Sequence, residues 1–234
     1  MAQLSKIEWT EATWNPWHGC IKVSPGCKNC YMYRDKKRYG QDPKLILRSK
    51  TTFRDPLKWA KPKLVFTCSW SDWFIEEADD WREEAWDIIR QTPHHTFQIL
   101  TKRPERIREH LPNDWKNGWS NVWLGVSIEN QKYESRMEIL RETPAKVRFI
   151  SAEPLIAPII FTSLKKIDWV ITGGESGPNA RPMDMDWVRS IRDQCKKAGT
   201  AFFHKQNGGT TIVDGAWGGR KIDGRTWDAM PSYA

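Results

Sequence analysis

Three cysteines within eleven residues are the part of this sequence best suited to chemistry. Cys20, Cys27 and Cys30 are spaced C-x6-C-x2-C, and the only other cysteines are Cys68 and Cys195. Three thiolates on one short loop can hold three irons of a [4Fe–4S] cluster, and the fourth iron then has no protein ligand and is open to a reactant. A structural zinc site would need a fourth ligand, for which His18 is the obvious choice.

The remaining two cysteines have a different sequence context. Cys68 falls in an apolar run typical of a strand, and Cys195 falls on the apolar stripe of a helical pattern. Free cysteine behaves as a small apolar residue in protein cores. We therefore expect both to be core residues. An odd cysteine count with three clustered also favours metal chemistry in a reducing compartment over a disulfide framework.

Length and composition narrow the class of protein. A chain of 234 residues can form one large core, and an α/β barrel of this size can be a single domain. The sequence has no run of 18 apolar residues and no charged-then-apolar leader. We therefore expect a cytoplasmic protein without a membrane partner.

The charge points to a polyanionic partner. The formal net charge is +8 and the isoelectric point is about 9.3. This balance suits nucleic acid, although a merely basic enzyme is the alternative. The chain also has 15 tryptophans, most of which we expect in the core. Trp70 and Trp73, next to the predicted site, are the tryptophans expected to stack on bases.

Short β-forming runs alternate with helical patterns along the chain. The runs are nearly continuous in apolar residues, as strands buried on both faces require. They cover residues 13–17, 63–70, 96–101, 122–127, 147–151, 169–172 and 201–205. Helical stripes with a 3.6-residue period cover Asp79–Arg90, Asn130–Arg141 and Asp184–Lys197, and Pro104 begins a further short helix.

Strand–helix alternation indicates a parallel sheet with right-handed crossovers. The sequence therefore predicts a single-domain partial (β/α) barrel, TIM-like, of six to seven parallel strands over residues 1–207. Residues 208–234 form a glycine-rich extension. Asp214-Gly215 and Asp223-Gly224 are turn signals in it, so we expect either a hairpin lid over the barrel or a terminal ribbon.

Polar residues follow the predicted strands at a consistent position. In parallel α/β folds the functional site lies at the carboxyl ends of the strands. Polar groups at six such ends therefore indicate one active-site rim. The candidate cofactor-binding residues are Ser69, Ser71, Asp72, Lys102, Ser127, Glu129, Glu153, Gly173, Gly174, Glu175, Lys205 and Gln206.

Some members of this rim suggest particular ligands. The Gly173–Gly177 loop could hold a phosphate or an adenosine through backbone N–H groups, or could be a close-packed glycine turn. No Lys-Ser/Thr pair follows it, which argues against a P-loop. Glu153 and Glu175 could bind ribose hydroxyls or a base. Lys205 and Gln206 lie where a carboxylate or substrate would enter.

Two basic runs lie beside predicted strand ends. Either could bind phosphate or could be a solvated helix face. One consists of Lys102, Arg103, Arg106 and Arg108, and the other, just after the cysteines, of Arg34, Lys36, Lys37 and Arg38.

The cysteine segment resembles the cluster loop of radical SAM enzymes. Asn15-Pro16, Gly19-Cys20 and Pro25–Tyr31 carry this likeness, with Arg34 beyond them. Further motifs resemble a narrower phage- and prophage-encoded radical-SAM-like family with a three-cysteine motif. They are Ser69–Asp72, Leu100–Pro104, Gly125–Asn130, Ser151–Leu155, Gly173–Gly177, Phe203–Gln206 and Gly224–Asp228.

The resemblance implies a partial barrel with a [4Fe–4S] cluster on Cys20, Cys27 and Cys30 and S-adenosylmethionine (SAM) as cosubstrate. The chain departs from the superfamily in its first cysteine gap, which is six residues instead of three. The superfamily's Gly-Gly-Glu element usually follows the second strand. Here it follows the sixth, so the role of that glutamate is not transferred to Glu175.

The function implied is reductive cleavage of SAM to a 5′-deoxyadenosyl radical, with an external electron donor. Basic charge and tryptophan content favour a nucleic acid base or nucleotide as substrate, for modification or lesion repair. A phage-encoded member would act in the bacterial host cytoplasm. The alternative is a non-catalytic iron–sulfur or zinc protein that binds nucleic acid.

Overall fold

Seven parallel strands form the main sheet of the computed structural model, which describes Ser5 and residues 7–231. The strands, numbered β1 to β7 in chain order, are Ala12–Trp14, Leu64–Thr67, Thr96–Thr101, Val122–Ser127, Val147–Ala152, Trp169–Gly173 and Ala201–Gln206. Each strand pairs with its neighbour in sequence, so the spatial order equals the chain order. The sheet curls into a half-barrel, which confirms the predicted fold class.

Four α-helices connect or flank the strands: α1 Tyr31–Arg38, α2 Asp79–Gln91, α3 Arg136–Glu142 and α4 Met185–Ala198. The predictions for α2 and α4 are correct within one residue at each end. The helix predicted over 130–141 instead begins as a 3₁₀ turn, Gln131–Tyr133, because the Asn130 side chain caps that turn by accepting from the Lys132 N–H. None of the described helices is both long and apolar enough to span a membrane.

Helix α1 is the α-helix that the sequence patterns did not predict among the described residues. Its residues read as a basic run, and only Met32, Tyr33 and Lys36 are buried. The helix begins directly after Cys30, whose position as N-cap ties the last cysteine to the start of the helix. Pro104 begins a short 3₁₀ helix, Pro104–Arg106, as predicted.

The glycine-rich extension contains a two-stranded hairpin. Ile212–Val213 pairs with Ala216–Trp217 around Asp214 and Gly215, which both have positive φ. Beyond the hairpin the chain runs antiparallel along β7, where the His204 N–H donates to the Trp227 carbonyl at 2.8 Å. The described part of the extension therefore acts as a terminal ribbon over the sheet edge.

The two faces of the sheet bury different cores. Side chains on the convex face, such as Val65, Ile99 and Val126, pack with the helices in the larger core. Cys68 and Cys195 belong to this core, as predicted. The alternate side chains point to the concave face and form a second core. Successive side chains along each strand therefore point alternately to the convex face, which the helices cover, and to the concave face inside the half-barrel.

Six aromatic residues fill the lower part of the concave side. We call this cluster the aromatic plug: Trp9, Phe66, Trp123, Phe149, Trp169 and Phe203. Trp169 lies at its centre, with ring centroids at 5.8 Å from Trp123 and from Phe149 and at 6.0 Å from Trp9 and from Phe203. Edge-to-face rings at these distances pack favourably and leave little free volume.

Candidate functional site

A cavity of about 600 Å³ opens at the carboxyl ends of the strands, above the aromatic plug. All three clustered cysteines line it. Ten of the twelve predicted rim residues line it as well: Ser69, Ser71, Asp72, Lys102, Ser127, Glu153, Gly174, Glu175, Lys205 and Gln206. The parallel register explains this gathering, because Thr101 lies beside Val126 and Ser127 beside Ser151 at one edge of the sheet.

Glu129, predicted to bind a cofactor, is placed differently from the other charged residues of the predicted rim. Its side chain is fully buried and does not line the cavity. The carboxylate lies 3.3 Å from Lys102 Nζ and 3.0 Å from Arg136 Nη1. The Ser24 hydroxyl donates to it at 2.5 Å, so Glu129 supports the cysteine loop from below.

Gly26 shows how closely this loop approaches the strand end. A Cβ atom built at Gly26 would lie 2.5 Å from Cγ of Glu129. Only glycine leaves room for the loop to pass over the carboxylate. The loop therefore covers Glu129, which is why the residue is missing from the cavity wall.

Two further contacts hold the cysteine loop. Arg103 Nη2 donates to the Ile21 carbonyl at 2.9 Å. Asn29 Nδ2 donates to Glu175 Oε2 at 2.8 Å. The loop is thus fixed from the ends of β3, β4 and β6, and two predicted cofactor carboxylates are used in holding it.

Glu175 lines the cavity, but other protein groups occupy its oxygens. Arg181 forms an ion pair with it, and the Arg181 backbone N–H donates to Oε2 at 2.8 Å. Burial alone would raise the pKa of Glu175, but hydrogen bonds from Arg181 and Asn29 outweigh burial and hold that pKa below its ordinary value. Arg181 also donates to the Pro25 carbonyl at 3.0 Å, so this pair is a second support of the loop.

Asp72, Ser69 and Ser71 line the cavity but also serve the framework. Asp72 accepts from the Thr101 hydroxyl at 2.6 Å and from the Lys102 N–H at 2.8 Å, and so joins the ends of β2 and β3. The Ser71 hydroxyl donates to the Gly19 carbonyl at 2.6 Å, and Ser69 Oγ accepts from Asn15 Nδ2 at 3.0 Å. These residues position the strand that precedes Cys20.

Glu153 and Lys205 are the charged pair that faces the cavity. Lys205 Nζ lies 3.4 Å from Glu153 Oε1, and the Ser151 hydroxyl lies 3.3 Å from Oε2. Gly173, which does not line the cavity, makes room for this pair, since a Cβ there would lie 2.5 Å from Glu153 Oε1. The role of Gly173 is therefore steric and not ligand binding.

The Gly173–Gly177 loop does not offer all of its amides to a ligand. The Gly174 N–H donates to the Gln206 carbonyl at 3.0 Å, and the Gly177 N–H donates to the Gly209 carbonyl at 2.9 Å. Gln206 also donates its side chain to the Gly174 carbonyl at 3.0 Å. These hydrogen bonds hold the loop against β7 and against the terminal ribbon, as expected of a close-packed glycine turn.

The basic run after β3 points inward to ion pairs. Arg103 lies 3.3 Å from Asp72, and Arg106 forms a 2.7 Å pair with Asp79. Lys102 pairs with Glu129, as described above. Only Arg108 is well exposed, and it pairs with Glu142. Each cation of this run is therefore paired with a carboxylate of the protein, which makes it less available to an external phosphate. Trp73 is also fully buried, which excludes base stacking on it, whereas Trp70 lines the cavity.

The three thiols share the cavity wall and act on each other electrostatically. Burial, followed by the charge of Asp72, raises the pKa of Cys20 to about 12, and burial also raises the pKa of Cys30. Cys27 contributes to both shifts. Cysteine binds a metal as the thiolate, so the raised pKa values of Cys20 and Cys30 mean that cluster binding would release protons.

The cysteine loop fits an iron–sulfur cluster in ligand type, ligand number and location. His18, the fourth ligand of the zinc alternative, does not line the cavity. Within the part of the chain that the structure describes, no group of three or more His, Cys, Asp or Glu side chains is already positioned to hold a metal ion. The loop would therefore have to draw its sulfur atoms together on binding.

Several supporting residues were not found from the sequence. Ser24, Asn29, Arg181 and Asn15 all hold the cysteine loop or its strand. The Tyr31 hydroxyl donates to the Ser69 carbonyl at 2.5 Å. Asn15, Asn29 and Tyr31 lay within the segment that resembles a cluster loop, so position in that segment was the available signal. Arg181 had none, because the loop residue that it holds, Pro25, is 156 residues away in sequence.

Family comparison places the whole described architecture in one group. The chain matches the model of a family described as Protein of unknown function (DUF5131) over residues 4–231, and it therefore belongs to that family. No curated protein and no solved structure matches the chain. Function therefore has to be inferred from the site itself.

Proposed function

We propose that this member of the DUF5131 family is a radical-SAM-type enzyme that acts on a nucleic acid base or nucleotide. Cys20, Cys27 and Cys30 would hold a [4Fe–4S] cluster. When bound and reduced by an external donor, the cluster supplies an electron for cleavage of SAM. The observation that carries the proposal is the position of all three thiols on one wall of the cavity at the mouth of a half-barrel.

The cavity residues support binding of a polar cosubstrate together with a planar substrate. Glu153 and Lys205 present opposite charges side by side, which suits ribose hydroxyls at the glutamate and a carboxylate at the lysine. The floor is apolar and aromatic, with Trp9, Phe66 and Leu100 in the lining. Such a floor excludes water below the reactants and packs against a flat ring.

The loop supports prepare the site before anything binds. Arg103, Glu129 and Glu175 fix the backbone on both sides of Cys27 through the contacts given above. Most of the side chains of residues 21–23 and 28 are solvent-exposed, so these positions can adjust while the anchored ones stay in place. A loop held at three points keeps these anchors in place while the exposed positions adjust to bring the three sulfur atoms onto one cluster.

Anaerobic reconstitution tests the proposal. The protein should bind about four irons per chain, turn brown, and form 5′-deoxyadenosine from SAM when dithionite is added. Cys27→Ser should lose both iron and product. Cys195→Ser is the matched control, because Cys195 lies on α4 in the convex core and does not line the cavity, and it should keep both.

Two results would redirect the assignment. A protein that binds about four irons but forms no 5′-deoxyadenosine would be a non-catalytic iron–sulfur protein. A colourless protein with one zinc per chain, lost equally in Cys27→Ser and His18→Ala, would be a structural zinc protein and would contradict the proposal.

A further inference from the structure

The positive charge of this protein is concentrated in one segment. Residues 20–63 contain nine lysines and four arginines against three aspartates, a net charge of +10. The whole chain carries +8, so everything outside this segment carries −2. The excess charge that indicated a polyanionic partner therefore belongs to the cysteine loop, α1 and the loops that follow them.

Six exposed cations of this segment lie on the cysteine loop, on α1 and just after α1, and so extend away from the cavity-lining cysteines. We call them the basic rim: Lys22, Lys28, Arg34, Lys37, Arg38 and Lys44. Lys22 and Lys28 belong to the cysteine loop and are joined by a 2.8 Å bond from Lys22 Nζ to the Lys28 carbonyl. Arg34 donates to the Ser176 carbonyl across the entrance. Lys44 follows Pro43, whose carbonyl accepts from the Cys20 N–H at 3.0 Å.

The basic rim differs from the run after β3 in its partners. Within the described residues, Arg34 is the one member of the rim with a carboxylate partner, Asp35 at 3.1 Å. Asp42, the next acidic residue in the chain, uses its side chain to cap the backbone N–H of Lys44. The cations of the rim are therefore available to an external anion, whereas Lys102, Arg103 and Arg106 are each paired with a carboxylate inside the protein.

Tyr39 adds an aromatic surface to this charge. It caps the end of α1, next to Lys37 and Arg38, and 69% of it is exposed. It is the one aromatic among the exposed large apolar residues of the described chain. Cations along a backbone path with an exposed aromatic ring are the combination by which proteins bind single-stranded nucleic acid.

We propose that the basic rim and Tyr39 bind the phosphate backbone of single-stranded DNA or RNA and present one base to the cavity. A duplex does not fit this arrangement, because stacking shields its bases from a concave site. The reaction at the presented base depends on the proposed function, whereas binding of the single strand to the basic rim does not. The two can therefore be tested separately.

The test is fluorescence anisotropy of a labelled 20-nucleotide single strand, DNA and RNA in separate arms, between 50 and 300 mM salt. The combined variant Lys37→Gln, Arg38→Gln and Lys44→Gln should bind about 100-fold more weakly at 0.1 M salt, with a salt slope smaller by about two. Tyr39→Ala should weaken binding about tenfold and leave the salt slope unchanged.

A matched control carries the same loss of charge on the opposite end of the barrel. Lys116, Lys146 and Lys165 are exposed in the loops that lead into β4, β5 and β6. Their combined replacement by glutamine should weaken binding by less than about threefold, since screening limits their reach. An equal effect in both triple variants would overturn the proposal, as would absence of binding at 50 mM salt or tighter binding to anionic vesicles.

Measurement on Cys27→Ser separates this proposal from the proposed function. Binding of the single strand should persist in that variant, because the rim cations do not depend on the cluster. Persistent binding without 5′-deoxyadenosine formation in the wild type would leave the surface assigned and the reaction refuted. Formation of 5′-deoxyadenosine without nucleic acid binding would leave the reaction supported and the surface refuted.

Discussion

The concave side of the half-barrel has two regions, the aromatic plug below and the cavity above. In the plug, Trp169 and its neighbours are almost fully buried, and their rings fill the space. In the cavity, thiols, carboxylates and lysines face an opening of about 600 Å³. Strands β2 and β4 to β7 supply five of the six plug residues, whereas the cavity is lined by residues at or beyond the carboxyl ends of the strands and by the cysteine loop.

This difference separates stability from chemistry. Residues that close the plug contribute packing and removal of apolar surface from water. Residues that line the cavity are either tied to one another as supports of the cysteine loop or left facing the opening. Substitutions should therefore fall into three grades of effect on the free energy of unfolding, and four predictions test this order.

The largest loss of stability is expected in the plug. Trp169→Ala removes the ring that contacts Trp9, Trp123, Phe149 and Phe203, and should lower the free energy of unfolding by about 3–5 kcal/mol. Trp187→Ala, on the partly buried face of α4, is the control and should cost clearly less. Equal losses in urea denaturation would show that the plug is not the stabilising region.

The second-largest loss of stability is expected at Glu129, which supports the cysteine loop beside the cavity. Glu129→Gln leaves Lys102 and Arg136 near a neutral buried group and should cost about 3 kcal/mol. Glu138→Gln, which removes an exposed pair with Arg141, should cost less than about 0.5 kcal/mol. If the two variants unfold at the same urea concentration, Glu129 does not support the loop.

The third prediction concerns pH. The pKa of Glu175 is below its ordinary value in the folded state, so folding favours the ionised carboxylate. Its stabilising contribution is then present above the unfolded-state pKa of about 4.3 and is lost as pH falls through the lower folded value. The difference in melting temperature between wild type and Glu175→Gln should be largest near pH 7 and should shrink below about pH 4. A difference independent of pH would contradict this role.

The smallest effect on stability is expected at the pair that faces the opening. Glu153→Gln and Lys205→Met should each change the free energy of unfolding by less than about 1 kcal/mol, because solvent reaches both groups. The same variants should weaken SAM binding, measured by equilibrium dialysis with the reconstituted protein. A variant that unfolds readily but binds SAM normally would place Glu153 among the supports and not in the binding surface.

Local sequence patterns predicted the strands because their physical cause is local. Alternation of residues 96–101 and 122–127 between two buried faces requires continuous apolar runs, and both runs became strands with the predicted bounds. Helix α2 was found from its 3.6-residue stripe. Helix α1 was missed because most of its residues are charged, and Met32 and Tyr33 are too few to show a helical apolar stripe in the sequence.

The sequence predicted that the polar residues after the strands would meet at one cavity. It did not predict which of these residues face the opening. A parallel sheet brings all carboxyl ends to one edge, so polar residues after six strands had to gather there. Which of them face the opening depends on what packs above them. The cysteine loop covers Glu129 through a contact that spans 105 residues of sequence, and Asn29 reaches Glu175 across 146 residues.

The sequence by itself determined the parallel half-barrel, the three thiols on one loop and the edge at which the polar residues meet. Periodicity and residue type carry that information, because they act over a few neighbouring residues. Only the tertiary structure decided which charges are neutralised and which are available. Lys102 and Arg103 meet carboxylates brought near by folding, whereas Lys37 and Arg38 meet none among the described residues. Ion pairing depends on distance in space, and the chain brings distant residues together only when it folds.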